Sequence, residues 1–167
     1  HDTMIYKAEK PPLTHNRYEQ KFEYMFVFSK GKPNTFNPIL EPSKYAGQDK
    51  KSRTLRQDSD ELGNRSGKGK VKDFKIKGNV WEYAIGGGKS TKDKIAFKHP
   101  AIFPEQLVKD HIISWSNEND LVYDCFMGSG TTAKMAKLNN RNYIGSEISE
   151  EYCKIIEQRL NDTGTLF

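Results

Sequence analysis

The chain has 167 residues, of which 35% are hydrophobic and 29% charged, and its formal net charge is +5 at pH 7. This length corresponds to about one domain, and the apolar content is enough for one core. No apolar run approaches the ~18 residues of a membrane helix, the first residues do not resemble a signal peptide, and the cysteines and histidines show no metal-binding spacing. We therefore expect a protein of the reducing cytoplasm without membrane contact, bound metal or disulfide.

Positive charge is concentrated in the middle of the chain. Residues 44–98 carry 15 basic and 7 acidic side chains, whereas residues 99–167 carry 6 basic and 10 acidic ones. A basic middle between near-neutral and acidic parts favours a surface for a polyanion such as nucleic acid. The alternative is a solvated lysine-rich loop without a partner.

The first third of the chain predicts two strands. Residues 2–9 resemble one strand, which Lys10-Pro11-Pro12 would end, and residues 22–28 resemble a second. In the second strand, aromatic rings alternate with Glu23, Met25 and Val27, which fits a strand covered on both faces. We expect the two strands to form an antiparallel hairpin with most of the rings in the core.

Residues 34–79 have almost no periodic apolar pattern, and their glycines and lysines predict a mobile loop. Residues 80–83 resemble a short strand. The three glycines at 86–88 favour a hinge over a phosphate loop, because no helix-forming stretch follows them at once.

Two amphipathic helices are predicted in the last part of the chain. Residues 104–116 present an apolar face that includes His111, which we expect to be a packed residue rather than a catalyst. Residues 149–160 predict the last helix, with Ser149 as its N-cap. Its inward-facing residues are expected to be Tyr152, Ile155, Ile156 and Leu160.

Between these helices, residues 120–147 predict a strand, a glycine turn, a helix, a second strand and an acidic residue. An apolar run at 121–126 suits a buried strand, Gly128-Ser129-Gly130 ends it, residues 131–138 favour a helix, and a second apolar run at 143–148 carries Glu147. In a nucleotide-binding βαβ unit the glycines let the backbone approach a ligand, and the acidic residue accepts both hydroxyls of a ribose. The alternative is an ordinary turn, because the glycine spacing is not G-x-G-x-x-G.

Three segments resemble the S-adenosylmethionine-dependent DNA amino-methyltransferases, which make N6-methyladenine or N4-methylcytosine. DCFMGSGTT (124–132) and NYIGSEISEEY (142–152) resemble motifs I and II of this family, and KHPAIFPEQL (98–107) resembles motif X. Motif X directly before motif I is the order of the permuted β-class. The family usually has Asp-Pro-Phe where this chain has Asp124-Cys125-Phe126, a departure that should not abolish cofactor binding.

The resemblance implies an α/β fold, with part of a Rossmann-like methyltransferase sheet, helices on its faces and a long basic target-recognition loop. It implies three segments: residues 1–37 as the edge hairpin, 38–97 as the target-recognition region and 98–167 as the cofactor-binding part. The residues implied to bind S-adenosylmethionine are His99, Ala101, Phe103, Asp124, Phe126, Gly128, Ser129, Gly130, Thr131 and Glu147. Those implied to contact double-stranded DNA are Arg53, Arg56, Arg65, Lys68, Lys70 and Lys72.

The catalytic motif IV of the family, a polar residue followed by Pro-Pro-Tyr/Phe, is missing from these 167 residues. The one Pro-Pro pair lies in Lys10-Pro11-Pro12-Leu13, which lacks both the polar acceptor and the ring. We therefore expect a C-terminal portion of a longer enzyme, with no catalytic residue of its own and no activity alone. The gap in the sheet would expose strand edges, which predicts completion by the N-terminal portion or by a homodimer.

The implied reaction is direct methyl transfer to the exocyclic amine of a base flipped out of the duplex, with adenine N6 favoured over cytosine N4. No covalent enzyme intermediate is needed, so no nucleophilic cysteine is expected. Two alternatives from other classes remain. One is a non-catalytic DNA-binding module that uses the basic loop, and the other is a methyltransferase-like fold that acts on RNA or protein.

Overall fold

A computed structural model describes residues 1–7, 18–51, 53–56, 62–65, 67–86 and 88–164, with the backbone alone for 53–56 and 62–65. The chain divides into two compact units, one formed by His1–Asn37 with Gly78–Phe167 and the other by Pro38–Lys77. In chain order the strands are β1 (Asp2–Lys7), β2 (Phe22–Val27), β3 (Leu40–Pro42), β4 (Arg53–Arg56), β5 (Leu62–Arg65), β6 (Phe74–Ile76), β7 (Val80–Glu82), β8 (Leu121–Asp124) and β9 (Asn142–Gly145). The helices are α1 (Glu105–Trp115), α2 (Thr131–Leu138) and α3 (Glu150–Asp162), preceded by a short 3₁₀ helix, Lys94–Lys98.

The first unit contains a three-stranded sheet in the order β2-β1-β7. β1 and β2 form the predicted antiparallel hairpin, and β1 also pairs in parallel with β7, a pairing that was not predicted. Alternation along β1 places Met4 and Tyr6 on one face, where both are buried together with Trp81 of β7. The predicted last two residues of β1 and the break at Lys10-Pro11-Pro12 lie outside the described residues.

The aromatic face of β2 is exposed, so the prediction that this strand is covered on both faces is wrong. Tyr24, Phe26 and Phe28 are 60%, 59% and 84% exposed, and the rings of Tyr24 and Phe26 stack at 5.8 Å. Met25 and Val27, on the other face, are partly buried. The alternating pattern assigned the rings to one face but carried no information on whether that face has a partner.

The second sheet of the first unit pairs β8 and β9 in parallel. Helix α1, as predicted, packs its apolar face on α2, and a core forms from Val108 and Ile112 of α1, Met135 and Ala136 of α2, and Val122 of β8. Both strands end earlier than predicted, at residues 124 and 145 rather than 126 and 148.

The prediction of a buried strand at 121–126 is wrong for one face of the β8–β9 sheet. Leu121 and Tyr123 of β8 are 65% and 63% exposed, and Ile144 of β9 is 53% exposed. The apolar run is continuous because one face packs on α2, whereas the other face carries apolar side chains that nothing in the described residues covers. Hydropathy alone does not separate these two cases.

A second face of α1 packs on the three-stranded sheet. The Tyr83 hydroxyl donates to Asp110 Oδ2 at 2.6 Å, and burial, this hydrogen bond and the Asp110 charge together raise the pKa of Tyr83. The His111 ring lies 4.9 Å from the Trp81 ring, and its Nε2 lies 3.1 Å from the Met25 sulfur. Burial lowers the pKa of His111, while Asp110 opposes the shift. His111 is therefore a packed residue, as predicted, and α1 joins the two sheets.

The second unit is built from short antiparallel strands. β3 pairs with β6, β4 pairs with β5, and an isolated bridge joins Asp49 and Lys70. The expectation of a stretch without regular structure is wrong for these strands. They are only three or four residues long, so their backbone hydrogen bonds form without a run long enough to show an apolar period in the sequence. Among the described residues of both units, no helix is long and apolar enough to cross a membrane.

Candidate functional site

The turn between β8 and α2 requires glycine at two positions. Gly128 has φ +55° and Gly130 has φ +79°, both in the left-handed region. A Cβ at Gly128 would lie 3.2 Å from His99 Nε2, and one at Gly130 would lie 3.0 Å from the Ile156 side chain. The backbone of the turn therefore packs closely against the segment that carries His99 on one side and against helix α3 on the other.

Asp124 shapes the start of this turn. Its Oδ1 accepts from the Phe126 N–H at 3.0 Å and its Oδ2 accepts from the Thr132 hydroxyl at 2.6 Å. The Met127 N–H donates to the Ser146 carbonyl at 3.0 Å, which links the turn to the segment after β9. The ring of Phe126 is 86% exposed at the end of the strand.

Glu147 lies beside the turn with its carboxylate already oriented. Oε1 accepts from the Ser149 N–H at 2.9 Å and Oε2 accepts from the Gly128 N–H at 2.8 Å. These two hydrogen bonds, aided by the backbone of Ile148 and by His99, lower the pKa of Glu147 against a small opposing effect of burial. An ionised carboxylate has about four acceptor positions, so two remain for a ligand.

His99 completes the group. Its Nδ1 accepts from the Ala101 N–H at 3.1 Å, which fixes the orientation of the ring. Its ring packs edge-on against Tyr152 of α3 at 4.5 Å. Tyr152 was predicted only as an inward-facing helix residue. Tyr152 lies in the first turn of α3, five residues after Glu147, and this position in the sequence could have predicted that it lies beside His99.

The remaining predicted residues differ in their exposure to solvent. Ser129 and Thr131 are buried, and their hydroxyls lie 3.3 and 3.2 Å from Arg159 Nη1. Ala101 and Phe103, by contrast, are exposed. The structure thus brings His99, Gly128 and Glu147 directly together.

A set of four charges, of which Arg159 is buried and the others are partly buried, lies behind the turn, and the sequence did not predict it. Arg159 Nε donates to Asp93 Oδ2 at 2.9 Å, and Nη2 donates to Glu105 Oε1 at 2.8 Å. Lys134 Nζ contacts the same two oxygens at 2.8 and 2.7 Å. The signal was present in α3, because Arg159 follows Tyr152 by seven residues and so continues the inward-facing stripe.

These contacts determine the ionisation of Asp93. Burial by itself raises the pKa of Asp93, but the hydrogen bonds and charges of Lys134 and Arg159 outweigh burial, so the pKa lies below its ordinary value.

The predicted DNA-contacting residues all belong to the second unit. Lys68, Lys70 and Lys72 are exposed at alternate positions beside the Asp49–Lys70 bridge. Arg53, Arg56 and Arg65 belong to β4 and β5, and their side chains lie outside the described residues. In the described part of the chain, no group of histidine, cysteine or acidic residues is arranged to hold a metal.

Taken together, these features describe an α/β protein with a candidate ligand site at the carboxyl ends of two parallel strands. A glycine turn leads into a helix after the first strand, and an acidic residue follows the second, which is the arrangement of nucleotide-type cofactor sites. The sequence profile of the N6_N4_Mtase family, described as DNA methylase, matches residues 1–158. The chain belongs to this DNA methylase family, which confirms the predicted family.

Individual relatives agree with this membership. The orphan methyltransferase M.BamHII of Bacillus amyloliquefaciens is 52% identical over 165 residues, which are 97% of this chain and 62% of that protein. The DNA adenine methyltransferase YhdJ of Escherichia coli K12 is 39% identical over 87 residues, covering 52% of this chain and 29% of that protein. This chain therefore spans about three fifths of the first relative and less of the second.

The fold is also that of solved methyltransferases. The crystal structure of an M1.HpyAVI–SAM complex matches 96% of this chain and 62% of that chain, with a TM-score of 0.58 and 27% identity. The predicted α/β methyltransferase fold is confirmed. The permuted motif order and the missing motif IV stay predictions.

The depressed pKa of Asp93 predicts acid-sensitive stability. Its ionised form stabilises the fold above the unfolded pKa of about 3.9, and this contribution is lost as the pH falls through the lower folded pKa. We expect Asp93→Asn to lower the melting temperature near pH 7, and the difference from the parent to shrink below about pH 4. Thermal unfolding followed by circular dichroism between pH 7 and 3 measures both. Asp162→Asn, an exposed change on α3, is the control, and a pH-independent deficit in Asp93→Asn would contradict the prediction.

Proposed function

We propose that this chain is the cofactor-binding and DNA-contacting portion of a DNA methyltransferase that transfers a methyl group from S-adenosylmethionine to adenine N6. The observation that carries the proposal is the meeting of His99, Gly128 and Glu147, one residue from each of the three motif-like segments. The adenine target is supported by the resemblance to a relative named as a DNA adenine methyltransferase. Its place of action is the cytoplasm, where its DNA substrate would lie.

The residues present fit this cofactor. Glu147, fixed by the N–H groups of Gly128 and Ser149, keeps two acceptor positions for the two hydroxyls of a ribose. Gly128 offers bare backbone beside it, and the exposed ring of Phe126 offers an apolar surface at the end of β8. The N-terminus of α2 suits an anionic group of the ligand. When bound, S-adenosylmethionine supplies an electrophilic methyl group on its sulfonium.

The chain's own contribution to the reaction is therefore binding and orientation. The carboxylate of Glu147 is ionised and held in place before any ligand arrives, so little reorganisation is needed on binding. Positioning of reactants can account for about 7–11 kcal/mol of a barrier, but only when both reactants are held. We propose that the acceptor groups for the base amine come from a Pro-Pro-aromatic segment in the N-terminal portion of the enzyme.

The exposed apolar faces support completion by such a portion. In the described part of the first unit, Tyr24 and Phe26 on one sheet and Tyr123 and Ile144 on the other are exposed apolar side chains. Contiguous exposed apolar surface of this kind is typical of an interface. The relative that matches 97% of this chain is also longer than it, since the match covers 62% of that protein. A homodimer is the alternative partner.

DNA contacts are proposed for the second unit. Lys68, Lys70 and Lys72 are exposed, and lysine mostly meets phosphate, which positions a protein on double-stranded DNA without reading sequence. We propose that Arg53, Arg56 and Arg65 supply phosphate and base contacts, because a guanidinium can bind a guanine edge with two hydrogen bonds.

The first test concerns Glu147. Glu147→Ala removes an ionised acceptor, and we expect the affinity for S-adenosylhomocysteine to fall by about tenfold or more for each hydrogen bond removed. Isothermal titration calorimetry measures the change. Glu157→Ala removes an exposed carboxylate from helix α3, which follows Glu147 in the sequence, and should leave the affinity unchanged. Unchanged affinity in Glu147→Ala would reject its assignment, and DNA binding without any cofactor binding would favour the non-catalytic module.

The second test concerns the exposed lysines of the second unit. Changing Lys68, Lys70 and Lys72 together to glutamine should weaken DNA binding and reduce the slope of log K against log salt by about 0.9 for each phosphate that the variant no longer neutralises. Fluorescence anisotropy over a salt series measures the slope. The matched control changes three exposed lysines of the first unit, Lys30, Lys32 and Lys154, to glutamine. Equal slopes in the parent and the first triple variant would show that these lysines do not meet phosphate.

The third test concerns completeness. We expect the 167-residue chain alone to transfer no methyl group to DNA, because none of its motif-like segments supplies the acceptors that hold a flipped base. The assay uses tritiated S-adenosylmethionine and unmethylated genomic DNA. Adding the part of the Bacillus amyloliquefaciens relative that this chain does not match, fused or as a separate chain, should restore transfer. Sustained methylation by the chain alone would mean that an acceptor lies among its own residues.

A further inference from the structure

Arg159 is the most completely buried charged side chain among the described residues, and the proposed reaction assigns it no role. Its side chain has no exposed surface. The guanidinium donates to acceptors on two sides, and these acceptors belong to different segments of the first unit.

On one side Arg159 holds the glycine turn. Nη1 donates to the Ser129 carbonyl at 2.6 Å and lies 3.3 Å from the Ser129 hydroxyl and 3.2 Å from the Thr131 hydroxyl. Ser129 is the residue between Gly128 and Gly130, so this hydrogen bond fixes the peptide at the centre of the turn. Both hydroxyls are buried, and the contact therefore takes place without competition from water.

On the other side Arg159 holds the segment that carries His99. Asp93 is the N-cap of the 3₁₀ helix Lys94–Lys98, and His99 follows that helix directly. Glu105 is the first residue of α1, six residues beyond His99. Arg159 donates to both acids, so it binds the chain at one position before His99 and at one position after it.

These contacts make Arg159 the link between two walls of the proposed cofactor site. A Cβ atom on Gly128 would lie only 3.2 Å from His99 Nε2, so the two segments are close together. A small shift of either segment therefore changes the space available to a ligand. Lys134 contacts the same two acids, but the Ser129 carbonyl is bound by Arg159. A planar guanidinium can serve both sides at once, whereas an ammonium group acts as a single point of charge.

We propose that Arg159 is a positioning residue for the cofactor, which sets the distance between the His99 segment and the Gly128–Gly130 turn. This inference rests on the proposed function. In a positioning role, the conformation of the turn and the ligand affinity should depend on the guanidinium group of Arg159 itself. In a purely structural role, they would follow the stability of the fold, which depends largely on the charge of Arg159.

The test compares two substitutions of Arg159. Arg159→Met removes both the positive charge and the planar guanidinium group with its several donors. Arg159→Lys keeps the charge beside Asp93 and Glu105 but loses the guanidinium group. We expect Arg159→Lys to recover most of the melting temperature while the affinity for S-adenosylhomocysteine stays reduced by about tenfold or more, because the Ser129 carbonyl is no longer held. We also expect faster hydrogen–deuterium exchange without ligand in the segment 124–132 of both variants.

The matched control is Arg141→Met. Arg141 also binds backbone carbonyls, donating to Ser116 at 2.7 Å and to Asn139, but it lies at the other end of α2. Its removal should lower the melting temperature and increase exchange near residues 138–142, with ligand affinity within about twofold of the parent. Glu147→Ala in the same series separates the two claims. If Glu147→Ala loses affinity and Arg159→Lys does not, the positioning role is rejected while the proposed function stands.

Two further outcomes would also overturn the inference. One is a recovery of affinity in Arg159→Lys in proportion to its melting temperature, which would show that charge and stability alone matter. The other is unchanged exchange in segment 124–132 of both Arg159 variants, because this measurement needs no ligand and so tests the hold on the turn even if the proposed function fails.

Discussion

The structure of the first unit depends on two acidic and two basic side chains that meet behind the glycine turn. Each of Asp93 and Glu105 accepts from both Lys134 and Arg159. Removing one partner of a buried ion pair costs about 3–5 kcal/mol, yet replacing a whole buried set with apolar residues is often neutral. Such a set is therefore a weak source of net stability. What it specifies is geometry, because the four charges come from the 3₁₀ helix cap, α1, α2 and α3, and can be satisfied together in few arrangements.

The site in front of the turn depends on that geometry through backbone contacts. Glu147 is oriented by the N–H groups of Gly128 and Ser149, so the carboxylate moves with the turn. Arg159 holds the carbonyl of Ser129 from behind, within the same turn. One short segment thus has a buried cation on one side and an ionised acceptor on the other. A shift of the turn would disturb both at once, so the charged set and the proposed ligand site are coupled through this turn.

The sequence predicted the helices well, because their signals are local. Ser149 caps α3 as expected, and Glu147 lies beside Gly128 because parallel strands place their carboxyl ends at one edge. Arg159 was missed because a single charge in a helix is usually exposed, although its place on the apolar stripe was visible. The exposed rings of β2 were missed because strand alternation has the same period whether or not a face is covered. The strands of the second unit were missed because three or four residues are too few to show a hydropathy period.

The proposed reaction has two requirements, which concern different parts of the first unit. The contacts that orient Glu147 and hold the turn lie wholly within the first unit. Phe26 and Tyr123 lie on exposed sheet faces, and their apolar side chains would gain stability from an element that covers them. Holding a flipped base needs an enclosed pocket, because water weakens the hydrogen bonds that fix the base. Cofactor binding should therefore depend on the four charges around Arg159, whereas methyl transfer should depend on whatever covers the two open faces.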